Sequence, residues 1–431
     1  MRKRTVVTVS LKIGTMICGV ALILVYLATF FNWVPMLSSV ANYATIGFVS
    51  ITQPIVLALV AFCVSIAIWQ RKSLYFRIAA GLSLIGLVMA IIAMASVRIT
   101  VESAGAETHP LDVYTVGEPQ DIISQDFVYD TEGGEETSLT VFGSGGNLLD
   151  TLGLEIKTSQ SGKKTIVSKD GSENIDMKAA LARAENAERI PIVVYIHGGG
   201  WIENDRFFRV EQCKSFAEAG YLSITLDYTL STEDKHLAVD CATEKQLLKA
   251  FAWIAQYAPA FGGDLSRLYV MGDSAGGNLA LDIAYKINGG VYKEADGVEL
   301  PKVTAVSVTY PVASPKTFYE NDDPVFSDEA KKMATWYTGA TPEENAKVYD
   351  EITPANFITN AAPPTFIMVG EHDTLVPPQA TYDLASSLES AGIKCKLVKV
   401  PFANHTMDVP VGNTVCQAYW QLAHKWFEEN R

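Results

Sequence analysis

Three long apolar stretches near the start of the chain constrain its structure more than any other feature. They cover about residues 13–31, 45–69 and 78–97, and none of them contains Asp, Glu, Lys or Arg. Each is close to or above the ~20 residues that an α-helix needs to cross a bilayer. The sequence therefore predicts a membrane domain, residues 1–101, with three transmembrane helices.

The placement of Lys and Arg predicts the orientation of these helices. The loop between the first two stretches, about 32–44, is uncharged, whereas basic residues lie before the first stretch and between the second and third, among them Arg2, Lys3, Arg4, Arg71, Lys72 and Arg77. Because short cytoplasmic loops carry an excess of Lys and Arg, the N-terminus is expected in the cytoplasm. Arg98 opposes this assignment as a single residue. We therefore expect a multi-pass plasma-membrane protein, held in the lipid bilayer by its N-terminal helices, with everything after residue 100 on the outer face. Cleavage of the first stretch as a signal peptide is the weaker alternative.

The rest of the chain is strongly acidic. Residues 1–101 hold eight of the 34 basic residues and none of the 48 acidic ones, which leaves residues 102–431 with 26 basic and 48 acidic residues and a net charge of −22. A phosphate backbone needs a basic face, so a nucleic-acid partner is not expected. The spacing of the six cysteines fits no zinc site and favours single buried thiols. A disulfide among those of the acidic part stays open if that part is extracellular: Cys213, Cys241, Cys395 and Cys416.

Strand and helix patterns alternate through this acidic part. Residues 102–125 have the composition of a linker, and the domain is expected to cover 126–431. The alternation predicts an α/β domain with a mostly parallel central sheet and helices on both faces. Two segments interrupt it. One is an insertion at 143–190 with a helix near 176–187, and the other, 313–352, is a candidate cap over a ligand site.

A serine flanked by glycines follows one of the predicted strands and precedes a predicted helix. The motif is Gly272-Asp273-Ser274-Ala275-Gly276. It matches the nucleophile elbow, in which a sharp turn exposes the serine hydroxyl and brings backbone segments too close for a Cβ. The dipole of the helix that follows favours negative charge at the same place. An ordinary glycine-rich turn is the alternative, but the pattern makes Ser274 the candidate nucleophile.

A second glycine cluster follows an earlier strand and reads His197-Gly198-Gly199-Gly200-Trp201. Glycines at this position allow backbone N–H groups to reach a substrate oxyanion. We expect the N–H groups of Gly198, Gly199 and Ala275 to form the oxyanion hole, and His197 to hold its loop by hydrogen bonding. A phosphate loop would need a following Gly-Lys-Ser/Thr, and one His beside glycines is no metal site, so neither a metal nor a cofactor is expected.

A carboxylate and a histidine follow the serine in the order that a catalytic triad requires. Asp373 comes directly after the predicted strand 365–369, and His405 follows the next strand. In the expected roles Ser274 attacks a carbonyl, His405 takes its proton and Asp373 orients the imidazole. Glu371 is the alternative acid. The other histidines are weaker candidates for the base: His109, His236, His372 and His424.

Together, these motifs resemble the hormone-sensitive-lipase-like branch of the α/β-hydrolases. The resemblance covers about residues 190–430. It implies the α/β-hydrolase fold and a serine esterase that forms an acyl-enzyme from short acyl or acetyl esters, of sugars or of lipids. Where the family has Asp-Tyr-Arg-Leu, this chain has Thr229 in place of the Arg. Family members build a cap partly from N-terminal helices. Because that region is apolar here, the cap is expected from 313–352, with 176–187 as a second contributor.

Two other functions stay open at this point. A peptidase on the same fold is disfavoured because residues 102–431 offer no gating domain. A catalytically silent adhesion or sensing protein is disfavoured because every residue of the triad and of the oxyanion motif is present. Labelling of Ser274 by a fluorophosphonate would separate the silent protein from an enzyme, and a comparison of esters with anilides would separate the two enzymes.

Overall fold

The computed structural model describes residues 2–31, 35–114, 122–144, 149, 152–158, 164–169, 176–184 and 189–431. The helices are α1 (Arg2–Phe30), α2 (Pro35–Asn42), α3 (Val49–Trp69), α4 (Leu74–Ser103), α5 (Met177–Ala184), α6 (Val210–Glu218), α7 (Ala242–Tyr257), α8 (Ser274–Gly289), α9 (Pro315–Tyr319), α10 (Ser327–Thr338), α11 (Ala346–Glu351), α12 (Gln379–Ser390) and α13 (Thr414–Glu429). The strands are β1 (Ile122–Asp130), β2 (Thr137–Ser144), β3 (Leu154–Thr158), β4 (Lys164–Ser168), β5 (Ile190–Ile196), β6 (Leu222–Leu226), β7 (Gly263–Asp273), β8 (Glu294–Ala295), β9 (Val298–Glu299), β10 (Ala305–Thr309), β11 (Thr365–Gly370) and β12 (Cys395–Val400). A π-helical turn, Tyr43–Gly47, follows α2.

Among the described residues, three helices are long and apolar enough to cross a membrane: α1, α3 and α4. At most 33% of the most apolar window of each is buried, so most of their apolar side chains face outward. Helices α1 and α4 approach closely through glycines. A Cβ on Gly19 would lie 2.9 Å from the Ala79 oxygen, and one on Gly86 would lie 2.7 Å from the Leu22 Cβ. Small residues allow such close backbone contact where lipid gives no hydrophobic drive for association.

Eight strands form one sheet in the order β1-β2-β6-β5-β7-β10-β11-β12. Strand β2 is antiparallel to both of its neighbours. The other strands after β2 in this order are parallel to one another: β6, β5, β7, β10, β11 and β12. Every residue of β6, β10 and β11 is buried. Strands buried on both faces are expected to be rich in apolar and β-branched residues, and these are, with buried Ser and Thr residues among them. The predicted α/β fold with a mostly parallel sheet is thus confirmed.

The sheet separates two apolar layers. Side chains of α7, α8 and α12 pack on one face, and side chains of α6 and α13 pack on the other. The end of α4 joins the second layer, where Val97 and Val101 are buried. Next to it, Lys396 Nζ donates to the Ala104 oxygen at 2.8 Å and Lys425 Nζ to the Gly105 oxygen at 2.6 Å. Helix α4 therefore docks directly on β12, the edge strand of the sheet, and on the neighbouring helix α13.

The insertion at 143–190 contains the β3–β4 hairpin and α5, and its remaining residues lie outside the described part of the chain. Helix α5 packs against Ala258–Phe261, which precedes β7 at the amino end of the parallel strands. The candidate site lies at the carboxyl end of the same strands. The expected contribution of 176–187 to a cap is therefore wrong. The domain also begins slightly earlier than predicted, because β1 starts at Ile122.

Candidate active site

Ser274 occupies a strained turn between β7 and α8. Its φ is +53°, a left-handed conformation that is uncommon for residues other than glycine. The turn is crowded on both sides. A Cβ on Gly272 would lie 2.4 Å from the Gly276 oxygen, and one on Gly276 would lie 2.2 Å from the Ile196 oxygen. The flanking glycines are therefore required for the serine to be presented in this way.

A chain of hydrogen bonds joins Ser274 to His405 and Asp373. The serine Oγ lies 2.9 Å from Nε2 of His405, and Nδ1 of His405 lies 2.8 Å from Oδ2 of Asp373. The other carboxylate oxygen, Oδ1, accepts the N–H groups of Leu375 at 3.1 Å and Val376 at 2.8 Å. His405 and Asp373 are buried, while 8% of Ser274 stays exposed. The carboxylate fixes the imidazole with Nε2 free to accept the serine proton.

Asn404 fixes the two loops that carry these groups. Its Oδ1 accepts the N–H of His405 at 2.7 Å and the N–H of Thr374 at 2.9 Å. Its Nδ2 donates to Oγ1 of Thr374 at 2.9 Å. The loop after β11 is thereby tied to the loop after β12. This amide was not among the residues predicted from the sequence, although its position directly before the candidate base is a signal for it.

The glycine loop after β5 lies against the elbow. Gly199 has φ +118° and Gly200 has φ +57°. Within the described residues, the N–H groups of these two glycines have no acceptor, and the N–H of Ala275 lies in the first turn of α8, where no intrahelical acceptor exists. The N–H of Gly198, however, donates to Oδ1 of Asp273 at 3.0 Å. The structure therefore differs from the prediction: the groups free to bind an oxyanion are those of Gly199, Gly200 and Ala275.

Asp273 and His197 hold this loop in place. The buried Asp273 carboxylate accepts the hydroxyl of Tyr195 as well as the Gly198 N–H. Burial and the Asp273 charge raise the pKa of Tyr195, so this hydroxyl stays a donor. His197 Nδ1 lies 2.8 Å from the Gly198 oxygen, and its ring stacks on Tyr228 at 4.3 Å. Burial lowers the pKa of His197, which keeps the imidazole neutral, as a structural role requires.

Known proteins share this architecture. The BD-FAE family model matches residues 177–388. Carboxylesterase NlhH of Mycobacterium tuberculosis is 30% identical over 227 residues, which are 51% of this chain and 66% of that protein. The chain is thus similar to the hormone-sensitive-lipase-like branch of the α/β-hydrolases over about half of its length. Versiconal hemiacetal acetate esterase of Dothistroma septosporum is 28% identical over 228 residues, or 50% of this chain and 66% of that protein. The chain thus spans slightly less than two thirds of these relatives' lengths.

Solved esterases share the fold of this chain at lower identity. Esterase LipW from Mycobacterium marinum has a TM-score of 0.50 and 20% identity, covering 79% of this chain and 90% of LipW. A Thermogutta terrifontis esterase in its butyrate-bound form has a TM-score of 0.51 and 19% identity, covering 71% of this chain and 94% of that esterase. At such identities the likeness shows the α/β-hydrolase fold alone.

A buried ion pair lies beneath the imidazole of His405. Nη2 of Arg209 is 2.8 Å from Oδ1 of Asp408, and the hydroxyl of Tyr310 donates to the same oxygen at 2.6 Å. The Tyr310 ring lies 4.5 Å from the His405 ring. The pair therefore connects the start of α6 to the loop that follows the candidate base. Its members lie about 200 residues apart in the sequence, and the sequence analysis missed them.

The segment 313–352 lies where the candidate cap was expected. Asn278 of α8 holds both of its ends, because its Nδ2 donates to the oxygens of Val312 at 3.0 Å and Ile352 at 2.9 Å. Helix α10 lies over the glycine loop. Its Tyr337 ring stacks on Trp201 at 4.5 Å, and its Met333 fills the space beside Gly200 so closely that a Cβ there would be 2.3 Å from the sulfur.

The N-terminal part also reaches the site, contrary to the expectation that the cap would form without it. Ser39 Oγ of α2 donates to Oγ1 of Thr374 at 3.1 Å, and Nδ2 of Asn42 lies 3.2 Å from Nδ1 of His372. These contacts arise because α4 docks on α13 and β12. This docking brings α2 against the loops after β11 and β12, which carry the candidate catalytic residues Asp373 and His405 and are called the catalytic loops below. The sequence offered no signal for this contact beyond the lack of charge in residues 32–44.

Proposed function

We propose that this protein is a membrane-anchored serine hydrolase that cleaves carboxylic esters through an acyl-enzyme. The observation that carries the proposal is the hydrogen-bonded chain from Asp373 through His405 to Ser274, next to free backbone N–H groups. The names of the related carboxylesterase and acetate esterase support ester cleavage.

Each group in the site has a role in that reaction. Ser274 Oγ attacks the ester carbonyl while His405 Nε2, 2.9 Å away, accepts its proton. Asp373 stabilises the imidazolium that forms. The N–H groups of Gly199, Gly200 and Ala275 bind the oxyanion, a contribution worth ~10²–10³ in rate for each donor removed in comparable enzymes. His405 then protonates the alcohol as it leaves, and water attacks the acyl-enzyme by the same route with the proton transfers repeated.

The proposed topology places the N-terminus in the cytoplasm and the hydrolase domain on the outer face of the plasma membrane. The excess of Lys and Arg before α1 and between α3 and α4 supports this orientation. The contacts of α2 with the hydrolase domain support the number of crossings rather than their direction. They require the connection between α1 and α3 to lie on the same side of the membrane as the hydrolase domain, which three crossings would produce.

The test is the replacement Ser274→Ala in the full-length protein. We expect kcat for p-nitrophenyl butyrate to fall by ~10⁴-fold or more, as in other serine hydrolases that lose the nucleophile. Labelling by a fluorophosphonate should disappear at the same time. The matched control is Ser266→Ala, since Ser266 lies in an exposed position at the opposite end of β7 and should keep both activity and labelling.

Two results would reject the proposal. Unchanged ester turnover and labelling in Ser274→Ala would show that this serine is not the nucleophile. Faster turnover of amino-acid anilides than of esters by the wild-type protein would identify a peptidase instead.

A further inference from the structure

Helix α2 has its polar and apolar faces reversed relative to a helix on a water-exposed surface. Its polar residues are buried and its large apolar residues are exposed: Ser38 0%, Ser39 1% and Asn42 0% against Met36 66%, Leu37 43% and Val40 60%. In water, a surface helix buries its apolar face. With eight residues, α2 is too short to cross a bilayer. The reversal is stable if the apolar face lies in lipid.

The position of α2 in the chain would place it beside the lipid. It lies between α1 and α3, both of them candidate membrane spans that end or begin within a few residues of it. Phe31 and Phe48 flank the segment and are also exposed, at 44% and 48%. An interfacial helix buries its apolar face ~5–10 Å deep, at the boundary between headgroups and acyl chains. Helix α2 is thus placed at the membrane surface by its own chain.

The opposite face of α2 contacts the loops that carry the triad. Ser39 hydrogen-bonds Thr374, and Thr374 hydrogen-bonds Asn404, the residue that accepts the N–H of His405. Phe30, at the end of α1, packs its ring 4.9 Å from that of Phe402 in the loop before the base. Only a few contacts therefore separate the proposed lipid-facing surface from the catalytic groups.

Tyr43 closes the gap between α2 and the cap. Its ring lies 6.0 Å from that of Phe326, the residue that precedes α10. Burial and the neighbouring Asp373 carboxylate raise the pKa of Tyr43, against the effect of a hydrogen bond with Thr406, so its hydroxyl stays neutral. The segment 39–43 therefore contacts both the cap and the loop that carries Asp373, and the cap in turn contacts the glycine loop, so these segments together form the enclosure considered for Ser274.

We infer that this enclosure opens on the outer leaflet and that the substrates are esters resident in the bilayer, such as lipids with long acyl chains. The inference rests on the proposed serine-hydrolase function. The ester bonds of a membrane lipid lie at the boundary between headgroups and acyl chains, the depth at which α2 would lie. A bilayer ester therefore needs little displacement to reach Ser274, whereas a water-soluble ester gains nothing from this placement.

The test uses the full chain reconstituted in phosphatidylcholine vesicles with two substrates, a long-chain diacylglycerol in the bilayer and p-nitrophenyl acetate in solution. Val40→Asp places a charge on the apolar face of α2, and Met36→Asp does so at a second position. We expect each to lower kcat/KM for diacylglycerol about tenfold more than for the acetate, because a carboxylate resists immersion in lipid. Val291→Asp is the matched control. Val291 is 56% exposed, close to the 60% of Val40, but follows α8 far from the spans and should not change the ratio.

The outcomes separate the inference from the proposed function. Acetate turnover without diacylglycerol turnover in the wild type would overturn the inference and leave the serine hydrolase in place. Equal losses on both substrates in Val40→Asp and Met36→Asp would also overturn it. Failure to cleave either ester, with Ser274 unlabelled by a fluorophosphonate, would instead remove the proposed function itself.

Discussion

The membrane helices and the central sheet are built from the same apolar residue types with opposite exposure. Ile51 and Leu57 of α3 are 60% and 57% exposed, whereas Ile196 of β5 and Ile367 of β11 are fully buried. In the sheet, apolar side chains avoid water by packing on one another, which stabilises the fold directly. In the candidate membrane helices the apolar side chains face outward, and in lipid the association of such helices depends on close backbone contact. The difference implies that each region is held together by a different kind of contact.

The largest expected loss of stability comes from breaking a polar contact that is buried in the hydrolase domain. Asp408→Asn should destabilise the protein by about 3–5 kcal/mol, because it leaves the Arg209 guanidinium buried without its partner. The activity should fall as well, since Asp408 lies in the loop of His405. Thermal unfolding of the detergent-solubilised protein measures the loss.

Glu211→Gln is the control for that change. Glu211 pairs with Lys214 at 2.9 Å, but both side chains are 24% exposed, so the loss should not exceed about 1 kcal/mol. Equal losses in the two variants would show that burial does not distinguish these ion pairs.

A moderate effect is expected where α1 and α4 meet. Gly86→Leu should destabilise the membrane helices by about 1–3 kcal/mol, because the new side chain would overlap Leu22. Gly81→Leu, on the same helix, adds the same side chain where no atom lies within 4 Å and should cost nothing measurable. Unfolding in mixed micelles with increasing dodecyl sulfate compares the two. If both variants unfold alike, close glycine contact is not what joins these helices.

Local patterns in the sequence predicted the long apolar helices and the loops at the ends of the parallel strands. The apolar stretches gave the three helices to within a few residues at most ends, although α1 and α4 run further than their apolar cores. The glycine motifs and strand ends predicted which loops would meet, because parallel strands deliver their carboxyl ends to one edge. The structure brings Ser274, His405 and Asp373 together there.

Contacts between distant segments could not be predicted in this way. Ser39 with Thr374 and Arg209 with Asp408 depend on tertiary packing and leave no periodic pattern in the sequence. The engagement of Gly198 by Asp273 is of the same kind, since each residue belongs to a motif that was interpreted separately. The cysteines were predicted to be single buried thiols. All six are free, but only Cys63, Cys213 and Cys416 are buried.

The smallest expected effect lies at the boundary between the two regions. Ser39→Ala removes the hydrogen bond to Thr374, a kind of contact worth about 1 kcal/mol. Ser38→Ala removes a comparable bond from the same helix, to the Phe31 oxygen at 3.1 Å, without touching a catalytic loop. Both should lose similar stability. Only Ser39→Ala should lower kcat, about threefold to tenfold with KM unchanged, because it loosens the loop that carries Asp373 and Thr374. Recovery of kcat in Ser39→Thr would support a positioning role for this hydroxyl. Equal kcat in the two alanine variants would show that α2 covers the site without influencing its geometry.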